Sequence, residues 1–259
     1  LRDNGTITPG QYEKLKREKK ASVGKRVGEG FRQKSQDFKF RIGGRIQLDA
    51  AVYDEEDRDL GSGTKVRRAR LFFAGKVYED WKFKLQLAFA NNALSIKDAY
   101  LAYTAFDKMV VKVGNFKEPF SLGDTTSSKY IPFMERALPN VFVPGRNIGV
   151  GLFTHGDHWS ASGGIFAEGP GDSRVDGEGY GATGRLTFSP IHEKTRAVHL
   201  GLSVAFRGVS DDTQSVSFSS KPESSVTSAS LVDTGDIGQT FSYVNSVVEG
   251  AVVRGPFSV

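Results

Sequence analysis

A strict alternation of apolar and polar residues runs through this chain, and it restricts the fold more than any other feature. In FKFRIGGRIQLDAAVY, residues 38–53, every second residue from Phe38 is apolar or glycine, whereas the positions between include Lys39, Arg41 and Arg45. Successive side chains of a β-strand point to opposite faces of a sheet. The segment is therefore predicted to be a strand with one apolar face and one mostly basic face.

The same period of two recurs along most of the chain, in segments that are unusually long. About ten segments of roughly ten residues show it, whereas strands of soluble proteins average about 5–6 residues. A strand that crosses a bilayer needs ~9–11 residues of this alternating character. The further segments are KVRRARLFFAGKVY, WKFKLQLAFA, IKDAYLAYTAF, MVVKVGNFK, NIGVGLFTH, WSASGGIFAE, YGATGRLTFS, AVHLGLSVAFR and, more weakly, SYVNSVVEGAVVR.

Composition agrees with a chain rich in strands and turns. There are 30 glycines and 19 phenylalanines but only two methionines and no cysteine, which favours aromatic-rich strands and leaves no thiolate metal site or disulfide. No apolar run reaches about 18 residues, so no transmembrane helix is predicted. The formal net charge of +5 indicates an anionic partner, and nucleic acid, acidic lipid and small anions all remain open on charge alone.

The connections between the alternating segments differ in length in a regular way. Tight links at residues 78–81, 106–108 and 155–158 alternate with longer ones, of which 118–146 and 209–239 are the longest. Outer-membrane barrels have short turns at one end and long loops at the other. A soluble sandwich has no reason to sort its connections in this way.

Residues 1–36 differ from the rest and are predicted to be a helical, charged segment followed by a linker. Thr8 and Pro9 form a helix-start signature ahead of QYEKLKREKK, and SVGKRVGEG follows as a flexible stretch. The chain begins LRDNGT, without Met or an apolar leader. We therefore expect either that a signal peptide has been removed or that the sequence is a fragment.

Alternation by itself fits two fold classes, because a half-buried sheet in a soluble protein also alternates. Long strands, basic residues in mid-strand and aromatic residues near strand ends favour a transmembrane antiparallel β-barrel, whose apolar face meets lipid and whose polar face lines water. A soluble β-sandwich that binds polyanionic ligands remains the alternative. The aromatic residues near strand ends are Tyr53, Tyr78, Trp81, Tyr103, Phe106, Trp159 and Phe188.

Several motifs resemble the phosphate-selective porins O and P. They include GNFKEPFSL at residues 114–122, TSSKYIPFMERALPNVFVPGRNIGVGL at 126–152 and RRARLFFAGKVYEDWKFKLQ at 67–86. The resemblance implies a barrel of about 16 strands in the full-length protein, of which about ten are present in residues 37–259. It also implies a homotrimer in the bacterial outer membrane, with residues 1–36 on the periplasmic side.

The function implied by this resemblance is a passive, anion-selective channel for uptake of phosphate or polyphosphate. The expected partners are inorganic phosphate or other small anions and the lipid of the outer membrane. A loop after the fifth strand, at about residues 118–146, is expected to fold inward and narrow the channel. Pro119 supports a break there, since proline cannot continue a central strand.

Candidate anion-binding residues come from the resemblance and from strand phase. The resemblance assigns Arg67 and Arg68 to a basic constriction pair, Lys117 and Ser121 to an anion-contacting pair, and Arg185 to a further position. By its position in the alternating pattern alone, Arg67 would point outward, which conflicts with the role that the resemblance assigns to it. A β-bulge would resolve that conflict. The alternating pattern predicts that a further set of basic residues faces the lumen. They are Arg41, Arg45, Arg68, Arg70, Lys82, Lys84, Lys112 and Lys117.

Other functions find less support in the residues. The four histidines at positions 155, 158, 192 and 199 form no recognisable catalytic set or metal site. Basic residues are spread along alternating strands, which does not favour nucleic-acid binding. The GYGATG stretch at 179–184 matches a dinucleotide-binding pattern, but a loop precedes it and a strand follows it. No enzyme activity, cofactor or nucleic-acid partner is expected.

Overall fold

The computed structural model describes residues 31–34, 38–54, 60–171, 178–210, 214–221 and 223–258. The helix predicted within residues 1–36 lies outside these ranges. At the end of that segment, residues 31–34 form a short strand. No helix in the described part of the chain is long and apolar enough to cross a membrane.

Strands dominate the described residues, and the helical elements are short. The strands are β1 (Phe31–Lys34), β2 (Phe38–Ala51), β3 (Gly63–Val77), β4 (Trp81–Ala88), β5 (Ser95–Tyr103), β6 (Met109–Lys117), β7 (Arg146–His155), β8 (Trp159–Phe166), β9 (Tyr180–His192), β10 (Arg196–Gly208), β11 (Ser215–Val216), β12 (Ser219–Ser220), β13 (Val232–Asp233), β14 (Ile237–Gly238), β15 (Ser242–Arg254) and β16 (Phe257–Ser258). The helical elements are α1 (Leu122–Thr125) and two 3-10 turns, Ala90–Asn92 and Leu138–Phe142.

Twelve strands form one antiparallel sheet, in which the order of the strands across the sheet is their order along the chain. The order is β1 to β10 followed by β15 and β16, and two small ribbons, β11–β14 and β12–β13, lie in the connection between β10 and β15. The predicted alternating segments all appear as strands of this sheet. Strands β2, β3, β9, β10 and β15 have 13 to 15 residues each, which confirms the predicted length.

The two faces of the sheet differ in chemistry and in exposure. On one face, a row of directly paired residues crosses eight strands, and all of its members are apolar. These side chains are exposed: Val113 is 52% exposed and Ile165 is 69% exposed. The next row, on the opposite face, includes Lys82, Lys112 and the fully buried Ala205. The apolar row consists of Phe83, Leu101, Val113, Val150, Ile165, Ala182, Phe206 and Val244.

This distribution is the reverse of that in a half-buried soluble sheet, whose apolar face is covered and whose polar face meets water. Apolar side chains remain exposed on the same face from β2 to β15, among them Ile46 and Val248. A contiguous apolar surface of this extent marks a membrane or protein contact. The arrangement therefore speaks against the soluble β-sandwich.

Short and long connections lie at opposite ends of the sheet, as the sequence predicted. Residues 78–80, 104–108, 156–158, 193–195 and 255–256 form the short turns at one end. The other end carries the connections 52–62, 89–94, 118–145, 167–179 and 209–241, of which only the second is short.

The sheet is open in the described residues, because no pairing joins its first and last strands. Strand β2 pairs with β1 only through Lys39–Ile42, and β15 pairs with β16 only through Val253 and Arg254. Most of the outer edge of each long strand therefore has no partner within the described part of the chain. Such edges pair readily with further strands.

Candidate anion-binding site

A cavity of about 570 Å³ lies on the polar face, between strands β2 to β6 and the connection of residues 118–145. Eleven basic residues line it against two aspartates, so its walls are strongly positive. The charged lining residues are Arg41, Arg45, Arg67, Arg68, Arg70, Lys84, Lys112, Lys117, Lys129, Arg136, Arg146, Asp98 and Asp124.

A register shift in the β2–β3 pairing brings Arg67 and Arg68 to the same cavity. Gln47 pairs with Arg68, but the next pair is Leu48 with Val66, which leaves Arg67 as the extra residue. A bulge of this kind re-aims a side chain that strand phase alone would send to the other face. Both arginines consequently line the cavity, and the conflict between phase and resemblance disappears.

Glu135, in the 118–145 connection, binds both of these arginines. The Arg67 guanidinium donates from Nε to Oε1 and from Nη2 to Oε2, the second at 2.8 Å. Arg68 donates from Nη1 to Gln47 Oε1 at 2.6 Å, and its Nη2 lies 3.5 Å from Glu135 Oε2. The Arg67 contact is a bidentate pair, the geometry in which a guanidinium binds carboxylate or phosphate most specifically.

Glu135 is held in its ionised form by its surroundings. Burial raises the pKa of its carboxyl group, but the hydrogen bond from Arg67 and the charges of Arg67, Arg68 and Arg136 outweigh this effect. The pKa of Glu135 is therefore below its usual value. The carboxylate carries its full negative charge at neutral pH.

Arg45 and Arg70 face each other directly across the β2–β3 ladder. Like charges in this position repel and destabilise a sheet. Arg45 donates from Nη2 to Ser128 Oγ at 2.7 Å, whereas the buried Nε of Arg70 has no hydrogen-bond partner among the described residues. Within the described ranges, neither guanidinium forms an ion pair with a carboxylate. A bound anion would relieve the repulsion and satisfy the unpartnered donor.

Aspartates neutralise some of the other cations of the cavity. Asp98 on β5 accepts from Lys84 Nζ at 2.6 Å and from Arg146 Nε at 2.9 Å, and its side chain is only 6% exposed. Asp124 in α1 accepts from Lys117 Nζ at 2.8 Å. These carboxylates fix the positions of long side chains, so that the remaining positive charge is held in place.

Lys112 is surrounded by aromatic rings. Its Nζ lies 4.8, 4.9 and 4.2 Å from the ring centroids of Tyr100, Phe116 and Phe153. Cation–π attraction of this kind holds an ammonium group against the rings. Lys112 contributes to the positive wall, and its ammonium group lies among these three rings.

A buried cluster fastens the beginning of the 118–145 connection to the far side of the sheet. Glu118, 1% exposed, accepts from Asn147 Nδ2 at 2.6 Å and from Thr183 Oγ1, and it forms an ion pair with Arg207 Nη2. These partners lie on β7, β9 and β10. Both oxygens of the Glu118 carboxylate therefore have a partner, as a buried charge requires.

Two further contacts fasten the same connection to β15. The backbone N–H of Leu122 donates to Glu249 Oε2, and Asn245 Nδ2 donates to the carbonyl of Phe142 at 2.7 Å. Together with the bonds of Arg45 and Arg67 on the other side, they place residues 118–145 across the polar face. The connection thus bounds the cavity on the side away from β2 to β6.

Sequence comparison supplies the observation that decides the family. Residues 40–259 match the family described as phosphate-selective porin O and P. The chain belongs to the phosphate-selective porin O and P family. This confirms the resemblance recognised from the motifs, and the family indicates the bacterial outer membrane.

Two curated relatives of this porin family member show how much of a full chain is covered. Porin O of Pseudomonas aeruginosa is 28% identical over 256 residues, which represent 86% of this chain and 57% of that protein. An uncharacterized protein of Caulobacter vibrioides is 31% identical over 188 residues, 67% of this chain and 38% of the relative. The chain spans little more than half the length of Porin O.

Eight of the eleven residues predicted for anion binding in this porin line the cavity, and three do not. Lys82 lies next to the short turns, where it pairs with Lys76, which in turn pairs with Lys39. Arg185 is ion-paired with Glu249. The eight that line the cavity are Arg41, Arg45, Arg67, Arg68, Arg70, Lys84, Lys112 and Lys117.

Ser121 has a local structural role. Its φ is +48°, its Oγ accepts from the N–H of Asp124 at 3.1 Å, and its own N–H donates to Ser203 Oγ at 3.4 Å. It caps α1 and so holds Asp124 next to Lys117. Ser121 therefore acts on the cavity through Lys117.

The structure adds four residues that the strand pattern missed. Lys129, Glu135 and Arg136 lie in the 118–145 connection, where the period of two does not apply, and Arg146 starts β7 opposite Lys117. Arg136 donates to the carbonyls of Gly123 and Thr126, both at 2.7 Å. For Glu135 and Arg136, the sequence did offer a signal, since both lie in the Met-Glu-Arg triplet of the motif at residues 126–152.

Two of the four histidines have ordinary hydrogen-bond partners. His158 Nδ1 lies 3.1 Å from the carbonyl oxygen of Ser189, and His199 Nε2 lies 3.1 Å from Glu249 Oε1. Over the described ranges, no group of three or more His, Cys, Asp or Glu side chains could hold a metal ion.

Proposed function

We propose that the full-length protein is an outer-membrane porin whose sheet closes into a β-barrel and which lets phosphate and related small anions cross passively. The observation that carries the proposal is the cavity on the polar face, lined by eleven basic residues against two aspartates, together with an opposite face whose apolar side chains are exposed. Hydrocarbon cannot solvate charge, so such a sheet fits a membrane only with its basic face inward. A fold of about 16 strands, a trimer and a periplasmic N-terminal segment belong to this proposal.

Closure follows from the open edges of the sheet. The matched regions of the relatives extend over 57% and 38% of their lengths, so further strands of the full-length protein are available to pair with β2 and β15. Only a closed sheet satisfies every backbone N–H and C=O group within a bilayer.

Anion passage follows from the geometry of the cavity. Arg45 and Arg70 offer charged donors without a carboxylate partner in the described ranges, and a guanidinium donates two parallel hydrogen bonds to an oxyanion. Two unit charges at ~4 Å attract by about 4 kcal/mol at an effective dielectric constant of 20. Sites of moderate strength in a row allow an anion to pass from one to the next, whereas one deep site would trap it.

The 118–145 connection narrows the path in this proposal. It is fastened to β7, β9, β10 and β15 on one side and to Arg45 and Arg67 on the other. Anions crossing the barrel would therefore pass between this connection and the basic wall of β2 to β6.

Planar-bilayer recordings of the full-length porin test the function. We expect a reversal potential that indicates anion over cation preference under a salt gradient, and inorganic phosphate that blocks the chloride current. Replacing both Arg45 and Arg70 by Met should weaken the block, whereas Arg196→Met, in an exposed turn pair with Glu193, should not. Cation preference, or a chloride current unaffected by phosphate or polyphosphate, would refute the proposal.

A further inference from the structure

Glu135 occupies the position where an oxyanion would bind Arg67. Its two carboxylate oxygens accept from Nε and Nη2 of Arg67, and Oε2 also faces Nη2 of Arg68 at 3.5 Å. A phosphate that approached the same guanidinium would use the same two donors. The best-formed bidentate site in the cavity is thus already filled by a side chain of the protein.

Glu135 is also the most accessible of the three carboxylates that pair with cations of the cavity. Its side chain is 21% exposed, against 6% for Asp98 and 8% for Asp124. Asp98 is carried by a strand and holds two cations, which makes it a fixed part of the wall. Water and solutes reach the Glu135–Arg67 pair more easily, and Arg67 itself is 28% exposed.

The backbone next to Glu135 is fastened by contacts other than its own. Arg136 bonds to the carbonyls of Gly123 and Thr126, and Ser128 accepts from Arg45 at 2.7 Å. The Glu135 side chain can therefore leave Arg67 by rotation about its own bonds, while the connection stays in place. Side-chain rotation is fast compared with motions of a loop.

We propose that Glu135 is an exchangeable internal counter-ion: it occupies the Arg67 guanidinium in the empty channel and is replaced there by a passing oxyanion. This inference rests on the proposed function and specifies how the anion site is regulated. The carboxylate competes with the solute, so it weakens binding and favours release. A chloride ion is a single atom, so it cannot accept the two parallel hydrogen bonds that a carboxylate or phosphate accepts from Arg67.

The size of the effect follows from the fraction of time for which Arg67 is free. A site that is available for a fraction of the time binds with an affinity reduced by that fraction, so a tenth free gives about a tenfold weaker apparent affinity. Removing the carboxylate should therefore tighten phosphate binding by about tenfold. If Glu135 only anchored the loop, its removal would loosen the cavity and weaken binding.

The experiment measures block of the chloride current by inorganic phosphate in the full-length porin. Glu135→Gln, which keeps the shape and removes the charge, should tighten the block by about tenfold. Glu193→Gln is the matched control, because it makes the same charge change in an exposed turn. In the Arg67→Met background, Glu135→Gln should have a much smaller effect, since the bidentate partner is gone and only the 3.5 Å contact with Arg68 remains.

The outcomes separate this inference from the proposed function. If phosphate does not block the wild-type channel, the proposed function fails. If phosphate blocks the wild type but Glu135→Gln leaves the block unchanged or weaker, only the counter-ion inference is overturned. Glu135→Asp, whose shorter side chain reaches Arg67 less well, should tighten the block by a smaller factor. Failure of both variants to insert would also overturn it, because an exchangeable contact is not required for assembly.

Discussion

Glu118 and Arg207 form a buried ion pair that joins the beginning of the 118–145 connection to strand β10, 89 residues further along the chain. The Glu118 side chain has no exposed surface, and Arg207 is 11% exposed. The pair makes the position of the loop depend on a strand from the opposite side of the sheet.

Replacing Glu118 by Gln should release the loop. Removing one partner of a buried ion pair costs about 3–5 kcal/mol, because the other charge is left uncompensated. The hydrogen-bonded strands do not depend on this pair, so we expect the barrel to form with a larger single-channel conductance and a weaker phosphate block. Conductance and block equal to those of the wild type would show that the pair does not position the loop.

Gly181 should be required for the same anchor. A Cβ at this position would lie 1.4 Å from Arg207 Nη1 and 2.7 Å from the carbonyl of Phe206. Gly181→Val should therefore displace Arg207 and reproduce the behaviour of Glu118→Gln in conductance recordings. Gly184→Val is the control in the same strand, because a Cβ there meets nothing within 4 Å; equal effects of the two substitutions would contradict the prediction.

The Glu135 contact should be insensitive to pH over the neutral range. Its pKa is lowered, so the ion pair is present above the ordinary glutamate value of about 4.3 and is lost as the pH falls through the lowered value. Wild-type chloride conductance should show a Glu135-dependent change only below the ordinary glutamate value, and Glu135→Gln should lack it. A Glu135-dependent midpoint near neutral pH would contradict the assignment.

Arg70 and Lys112 should differ in their contribution to anion binding, although both line the cavity. Arg70 has a buried donor without a partner among the described residues, whereas Lys112 lies within three aromatic rings. Arg70→Met should weaken the phosphate block about tenfold, or about 1.4 kcal/mol, and Lys112→Met less than about twofold. The opposite order of effects in bilayer recordings would refute this account.

The fold was largely accessible from the sequence, because the period of two assigns each residue to a face without knowledge of its neighbours. Phe83 and Lys84 are an example: the first lies in the exposed apolar row, and the second bonds to Asp98 on the other face. The lengths of the connections likewise follow from the chain alone.

The candidate site was accessible only in part. The alternating pattern assigns Arg67 to the wrong face, because a single extra residue shifts the register at the β2–β3 bulge. Glu118 and Arg207, or Arg185 and Glu249, are far apart in sequence, and nothing local indicates that they pair. A count of basic residues in the sequence overstates the positive charge that is free to bind an anion, because some of these residues are paired with acids. Arg185, which was predicted to bind anions, is paired with Glu249.

The central claim is that the apolar face meets lipid while the basic face surrounds water, and adjacent residues of β4 test it most directly. This chain has no cysteine, so nitroxide labels can be placed at Phe83→Cys and Lys84→Cys in the full-length porin in liposomes. The label at 83 should be more accessible to oxygen dissolved in the lipid, and the label at 84 to a water-soluble nickel complex. Equal accessibilities, or the reverse order, would contradict the account.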